Sequence, residues 1–452
     1  MTKVIKLTRG FDIKIEGVPA KKNNSTFTSK TFSIKPIDFH GLAPIPKLLV
    51  AEGDEVMAGD QLFFDKQNDN IFYTAPVSGE VIEIRRGEKR AITEIIILAD
   101  QVVKYRQWGK ADVNSISNTE IIDRMLDSGA WHFLKQRPYD VAANPKDEPK
   151  AIFISGFDSA PLAPDYNFIM AGKQFDFQNG IKILSKLTKG KIHLSLSSDH
   201  KPCDTFDYAK GVEVHWFSGP HPAGNVGIQI HHIDPINKGD TIWYINPQDV
   251  ANLGKLFTEG IYQPERTVAY AGPELIHTGY IKTLQGANIS EIIKNNLKNT
   301  HVRYISGNVL TGKKIEANGH LGYYDHLLTV IEEGDQPELF GWLIPAYPRP
   351  TKSSAFLAYM NEAPSGFRVN TGMHGEERAY VVTGQYESVL PMDIYPVNLV
   401  KAIMARDFDL MEGLGIYEVS EEDFALCEFV CTSKVEVQEI IREGLDYVRS
   451  QN

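Results

Sequence analysis

The residues best placed to do chemistry lie in one short stretch. Ser218-Gly219-Pro220-His221-Pro222-Ala223-Gly224-Asn225-Val226-Gly227 is dense in turn formers, and His231-His232-Ile233-Asp234 follows. A metal-dependent hydrolase could use His221, His231, His232 and Asp234 as ligands. Their spacing matches no established ligand set, and adjacent histidines on a strand point to opposite faces. The expectation is therefore turn or interface histidines and no metal ligands. A nucleophile elbow of the G-x-S-x-G kind is absent from the sequence, so no catalytic residue is assigned. Gly307-Asn308-Val309-Leu310-Thr311-Gly312-Lys313-Lys314 nearly spells a phosphate-binding loop. Lysine stands where a Ser or Thr would hold Mg2+, and Ile315 to His320 reads as a strand and a turn rather than a helix. ATP binding is not expected.

The other chemical candidates are thiols. The sequence holds three cysteines: Cys203, Cys427 and Cys431. Cys427 and Cys431 stand at i, i+4 and could share a helix face, but no nearby histidine completes a metal site and Cys203 lies far upstream. Core or surface thiols are expected. The last hundred residues nevertheless resemble a ferredoxin-type scaffold with two C-x-x-C-x-x-C-x-x-x-C-P runs. The first run falls on Tyr380, Thr383, Tyr386 and Leu390, followed by Pro391. The second falls on Glu421, Phe424, Cys427 and Cys431, followed by Thr432. Six of eight ligand positions cannot supply the soft thiolates an iron–sulfur cube needs. Bulky replacements suit a hole filled by side chains, within a small helical domain built on Pro396 to Met404 and Val435 to Val448.

Several elements must hold these residues. A length of 452 residues implies more than one core. The overall class is α+β multidomain. From about residue 150, Ala151–Gly156, Lys191–Leu196 and Val212–Phe217 read as buried strands, with a helix over 175–187 between them. That alternation predicts a Rossmann-like α/β layer over 105–262. Its first strand is followed by one glycine, Gly156, and not by G-x-G-x-x-G, so tight dinucleotide or FMN binding is not expected. Residues 263–340 read as strands with a helix from Ile289 to Leu297, then strands at Val302–Ile305 and Leu327–Ile331, resembling a soluble-ligand-binding β-grasp domain. Residues 341–452 form the helical domain. Phe340 to Tyr347 is aromatic and apolar and is expected to pack between domains.

The N-terminal part, residues 1–104, carries Glu52-Gly53-Asp54, Gly59-Asp60-Gln61-Leu62 and Ala75-Pro76-Val77-Ser78-Gly79. Gly-Asp and Pro-x-x-Gly turns between short strands resemble the barrel-sandwich hybrid of biotinyl and lipoyl domains. A carrier lysine would fall seven residues beyond Leu62, at Asp69; Lys66 comes three residues earlier without the usual flanking residues. No covalent carrier group is expected.

Composition narrows the function classes. The formal net charge of −11 disfavours nucleic acid and anionic lipid. Few cysteines fit a reducing compartment. The N-terminus lacks a signal-peptide core, and no apolar run approaches the roughly 20 residues of a membrane helix. Membrane contact would be peripheral or through a partner.

Phe217-Ser218-Gly219-Pro220-His221-Pro222-Ala223-Gly224, continuing through Gly227 to Ile230-His231, closely resembles a segment of the A-type subunit of the Na+-translocating NADH:quinone oxidoreductase. The domain order matches along essentially the whole chain. That family is related to the C-type subunit of the Rnf complex and to the NADH/FMN-binding subunit of respiratory NADH dehydrogenase. The resemblance implies a peripheral subunit on the cytoplasmic face of the bacterial inner membrane, held chiefly by the membrane-embedded B-type subunit. It implies a complex that oxidises NADH, reduces quinone and exports Na+, with flavins and iron–sulfur clusters in partner subunits and no cofactor in this chain. It also raises an association with quinone; no cofactor-binding residue is assigned. The competing readings are a free-standing carrier-type protein and an independent flavin or iron–sulfur oxidoreductase.

Overall fold

The computed structural model describes residues 4–24, 27–43, 45–66, 68–335, 349–353, 363 and 365–451. Phe340 to Tyr347 lies outside them. Among the described residues the strands form sheets of seven, six, four and three members.

The two smaller sheets make the barrel-sandwich. Thr31–Ile34, Ile92–Ala99, Gly79–Arg86 and Glu55–Val56 form one layer, and Lys47–Leu48, Gln61–Asp65 and Asn68–Thr74 the other. Phe32, Leu62, Phe63, Tyr73, Val81, Ile95 and Ile97 are buried between them. The repeated Gly-Asp turns share one device. The Asp54 carboxylate accepts from the Ala51 amide at 2.7 Å, and the Asp60 carboxylate from the Met57 amide at 2.7 Å. Each aspartate thus closes a turn whose glycine takes positive φ, 91° at Gly53 and 93° at Gly59. Gly79 is required for a different reason: a Cβ there would lie 1.9 Å from the Leu98 carbonyl oxygen.

The hairpin tip differs from the expectation. Asp65 pairs with Asn68, and Asp69 sits on the following strand. The seven-residue count assumed a longer hairpin. Lys66 is exposed at the tip, so only its flanking sequence, and not its position, argues against a carrier lysine.

The N-terminal strands, grouped with the barrel in residues 1–104, pair elsewhere. Val4–Lys6 runs parallel to Glu213–Ser218 at one edge of the seven-stranded sheet, and Asn23–Asn24 runs parallel to Gly279–Leu284. Each covers an open sheet edge, so the first segment ties the other layers together.

The seven-stranded sheet runs in the order Val4–Lys6, Glu213–Ser218, Lys191–Ser197, Ala151–Ser155, Ile242–Tyr244, Lys135–Arg137, Val141–Ala142. The first five strands are parallel, and Lys135–Arg137 runs against them, pairing antiparallel with both of its neighbours. Ala151 to Ile154 is buried throughout, as a strand covered on both faces must be. The helices Gln174–Leu184 and Pro247–Glu259 cross closely: a Cβ on Gly180 would strike the Val250 carbonyl at 1.9 Å, and one on Gly254 the Asp176 carbonyl at 2.0 Å.

The six-stranded sheet runs Lys313–Ile315, Val302–Ser306, Leu327–Glu332, Glu265–Ala271, Gly279–Leu284, Asn23–Asn24, with Glu265–Ala271 parallel to Leu327–Glu332. The helix expected over Ile289 to Leu297 is one turn, Ser290–Ile293. Asn295 turns to φ 56° and the Asn296 side chain accepts from the His277 amide at 2.8 Å, which ends the helix and sends Leu297 into a bridge with Leu275. In the C-terminal part, Pro396–Met404 and Val437–Gln451 pack through Val397, Val400, Ile441, Leu445 and Val448. The helix Ala425–Val430 stops before Cys431, so the two cysteines do not share a helix face. No helix among the described residues is long and apolar enough to cross a membrane.

Candidate functional site

In an open α/β sheet, the ligand crevice forms at the carboxyl ends of strands where the chain turns to opposite sides. Here that point lies between Ala151–Ser155 and Ile242–Tyr244. The crevice encloses about 180 Å³ and is lined by Asp158, Tyr166, His221, Asn225, Tyr244 and Glu422, with the loop at Asn308 to one side.

A local network fixes the lining. Ser155 Oγ donates to the Phe157 carbonyl at 2.9 Å, and the Gln229 amide donates to Ser155 Oγ at 2.8 Å. Ser159 Oγ lies 3.0 Å from His221 Nδ1 and accepts from the Gly224 amide at 2.8 Å. His221 is 3% exposed, and burial pushes its imidazole down to about 4. Burial likewise raises the Asp158 carboxyl, against hydrogen bonds from the Ala160 and Ser159 amides. Glu422 is raised to about 8 by desolvation and by Asp423 and Asp140, in spite of Arg137. Tyr166 accepts from Asn246 Nδ2 at 2.6 Å, and Tyr244 donates to the Asp140 carboxylate.

These groups do not fit a nucleotide or flavin phosphate. The lining holds two carboxyl groups and no lysine or arginine, Gly156 is the lone glycine after the strand, and the volume is below the roughly 300–1,000 Å³ of an ordinary ligand pocket. The near-phosphate loop at Gly307 to Lys314 spends its amides internally. Asn308 Oδ1 accepts from the Leu310 and Thr311 amides at 2.8 and 3.0 Å, and a strand follows, not a helix.

The structure disperses the metal candidates. His221 points to Ser159, Asp234 pairs with Lys150 at 2.6 Å, and His231 and His232 lie on a helix, Val226–Ile233, not on a strand. Val226, Ile228 and Ile230 alternate like strand residues, but Gly227 and Gln229 between them are buried too, so the segment is covered all round. His231 Nδ1 lies 2.8 Å from Glu418 and its Nε2 accepts from the Asp393 amide at 3.1 Å. His232 Nε2 lies 2.9 Å from the Pro391 carbonyl. Both histidines therefore join this helix to the C-terminal domain.

The C-terminal runs do converge. Tyr386 Oη donates to Cys431 Sγ at 3.1 Å, the Cys427 thiol reaches the Tyr386 carbonyl at 3.9 Å, and the Tyr380 and Tyr386 rings lie 6.0 Å apart. Leu390 and Phe424 are buried. Burial, reinforced by Glu387, raises the Cys427 thiol well above its ordinary value. A buried thiol, one further cysteine and packed rings do not fit a thiolate-held cluster.

Sequence reasoning missed a fully buried ion pair. Arg137 is 0% exposed, donates to Asp423 at 2.6 Å and to Glu422 at 2.9 Å, and joins the α/β layer to the C-terminal helices. No local pattern marks it, since its partners lie nearly 300 residues away.

Comparison with known proteins decides the family. The NqrA N-terminal barrel-sandwich hybrid domain matches residues 5–100, the NqrA second alpha/beta domain residues 116–262, and the domain described as NQRA C-terminal residues 267–317. The A-type subunit of the Na(+)-translocating NADH-quinone reductase from Yersinia pestis bv. Antiqua is 36% identical over 451 residues, 99% of this chain and 100% of that one. Its counterpart from Haemophilus influenzae strain PittGG is 35% identical over 452 residues, with the same coverage. The chain belongs to the NqrA family. An NAD+-reducing [NiFe]-hydrogenase structure, air-oxidised, covers 77% of this chain and 68% of its own at 9% identity and TM-score 0.39, too slight a likeness to define the fold.

The NqrA-like segment at 217–231 has a packing account. Gly224 lets the loop at Asp158 nest against it, because a Cβ there would lie 2.5 Å from the Ser159 amide nitrogen. Gly227 makes room for the ion pair, because its Cβ would lie 2.4 Å from Asp423 Oδ2 and 2.7 Å from an Arg137 nitrogen. Gly224→Ala is expected to lose about 1–3 kcal/mol by overpacking. Urea unfolding checks this; an unchanged midpoint would mean that the loop yields freely.

Proposed function

We propose that the protein works as the NqrA subunit of a Na+-translocating NADH:quinone oxidoreductase, the complex that couples NADH oxidation and quinone reduction to Na+ export. In this reading it is a peripheral subunit on the cytoplasmic face of the bacterial inner membrane, held by the other subunits and chiefly by the membrane-embedded B-type subunit. One observation carries the proposal: the relationship runs unbroken through 99% of the chain and all of its relatives.

The flavins and iron–sulfur clusters of the complex then belong to its partners. The crevice without a lysine or arginine and the C-terminal runs packed with tyrosine and thiol support a chain without a cofactor or catalytic residue. A quinone-associated role draws support from the same crevice, whose His221 imidazole is held neutral near pH 7. We read residues 105–262 as a Rossmann-like layer, supported by its parallel strands and switch point. We read residues 263–340 as a β-grasp unit, supported by the parallel central pair beside two antiparallel neighbours. We read residues 341–452 as a docking and packing domain, supported by the helices between Pro396 and Gln451.

Tagging the chain in its native host is expected to recover, from solubilised membranes, hydrophobic and flavin-bearing subunits with Na+-stimulated quinone reduction. Deleting it should abolish that activity. A tagged chain recovered alone, with full activity left in membranes of the deletion strain, would overturn the reading. The purified chain should be colourless, oxidise no NADH and have its unmodified mass. A biotinyl or lipoyl increment at Lys66, or a flavin or cluster spectrum, would sink the cofactor-free part alone.

A further inference from the structure

Three side chains outside the crevice gather on one face of the seven-stranded sheet. In the parallel register His193 stands beside Glu213, and Ser195 beside His215. Residues two apart on a strand share a face, so all four point the same way. His193 Nδ1 lies 2.9 Å from His215 Nε2 and 3.8 Å from a Glu213 oxygen. One donor atom from each residue lies within 4.8 Å of the others.

We propose that His193, His215 and Glu213 bind one divalent transition-metal ion of the Zn2+ class. Two imidazoles and a carboxylate are a donor set that such an ion accepts, with a fourth position left for water or a ligand. Tetrahedral ligands at about 2.0–2.1 Å from zinc stand about 3.3 Å from one another. The separations of 2.9 and 3.8 Å bracket that value, so small rotations of the side chains suffice.

The surroundings are those of a supported site. The Phe153 ring packs on His193 at 4.6 Å between centroids and holds its orientation. Lys191 holds the other Glu213 oxygen at 2.7 Å, as outer contacts orient metal-bound carboxylates.

A second observation points to the same place. Ser195 is 0% exposed, and its Oγ finds no hydrogen-bond partner among the described residues. A buried polar atom of this kind marks a position completed by a water or an ion. Without a metal, one imidazole N–H would donate to the other ring, which leaves Ser195 Oγ without a partner among the described residues. The cluster lies in the amino-terminal half of its two strands, whereas the crevice lies at the carboxyl ends. Its sequence signal was available but non-local: His-x-Ser on one strand and Glu-x-His on the next.

The test uses the full chain purified through chelator, with Zn2+ and Co2+ as probes. The wild type is expected to retain one Zn2+ per chain through desalting and to give visible Co2+ bands of tetrahedral intensity. His215→Gln and the exposed Glu213→Gln avoid the buried His193, and each should weaken Zn2+ binding at least about tenfold, since even outer-contact changes cost 10–100-fold. Circular dichroism confirms that both fold. No Zn2+ retained by the wild type overturns the proposal, as does unchanged affinity in either variant. Equal retention of Mg2+ would also overturn it, because that ion prefers all-oxygen sites.

Discussion

Replacing Arg137 with methionine is expected to destabilise the protein by about 3–5 kcal/mol and to loosen the C-terminal helices from the α/β layer. The guanidinium is fully buried, and both Asp423, at 0% exposure, and Glu422 depend on it. Burial alone would lower the Arg137 pKa, yet the Asp423 and Glu422 carboxylates raise it, so it stays charged. Removing it leaves Asp423 buried with donors, among the described residues, only from Ser420, at 3.0 and 3.3 Å, and the cost of an uncompensated buried charge follows. The triple variant Arg137→Met, Glu422→Gln, Asp423→Asn removes the charges together and should regain most of the loss, because a neutralised pair costs less than a broken one. Urea unfolding followed by tryptophan fluorescence gives the size of the effect, and limited proteolysis between residues 335 and 396 gives the loosening. A single variant that loses less than about 1 kcal/mol would show that the interface does not rest on this contact.

The same contact shows where sequence reading stops. Turn chemistry was legible because it is local: Asp54 and Asp60 bond to amides three residues back, and Gly53 and Gly59 supply the φ the turns need. The buried strand at Ala151 and the helix Pro396–Met404 announced themselves by composition and period. The helix carrying His231 and His232 did not, because Val226 to Ile230 are all buried and that stretch loses the polar face that marks a helical period. The partners of the N-terminal strands Val4–Lys6 and Asn23–Asn24 lie some 200 residues away, and no local pattern names them. Arg137 with Asp423, and His193 with His215, belong to the same class. Each residue is ordinary in its own neighbourhood, and only the tertiary pairing gives it a role. In the C-terminal domain the sequence supplied the pattern and its missing thiolates. The structure adds how that space is filled, by Tyr386 against Cys427 and Cys431.

Stability should also fall as pH drops below 6.5, and His221 accounts for a measurable share. Its pKa is about 4 in the folded chain and about 6.5 when unfolded, so the unfolded state binds one more proton between those values. The stabilising contribution is fully present above pH 6.5 and is lost as pH falls through about 4. A shift of about 2.5 units at 1.36 kcal/mol per unit is worth roughly 3 kcal/mol, a large part of an ordinary folding free energy. His132 acts with the same sign: it is 1% exposed, stacks on Tyr73 at 3.9 Å, and is lowered to about 3 by burial against its bond to the Phe72 carbonyl. Glu422 works against them. Desolvation raises its carboxyl above the ordinary range against the pull of Arg137, so its contribution has the opposite sign. The informative measurement is therefore the difference between the wild type and His221→Gln, which keeps a polar group near Ser159 and cannot titrate. Unfolding free energies taken between pH 6 and 4.5 should show a wild-type slope steeper by about 1.4 kcal/mol per pH unit, whatever the variant loses at pH 7. Parallel pH profiles would mean that the His221 imidazole takes up its proton inside the folded chain, and that the crevice it lines is wetter than its burial implies.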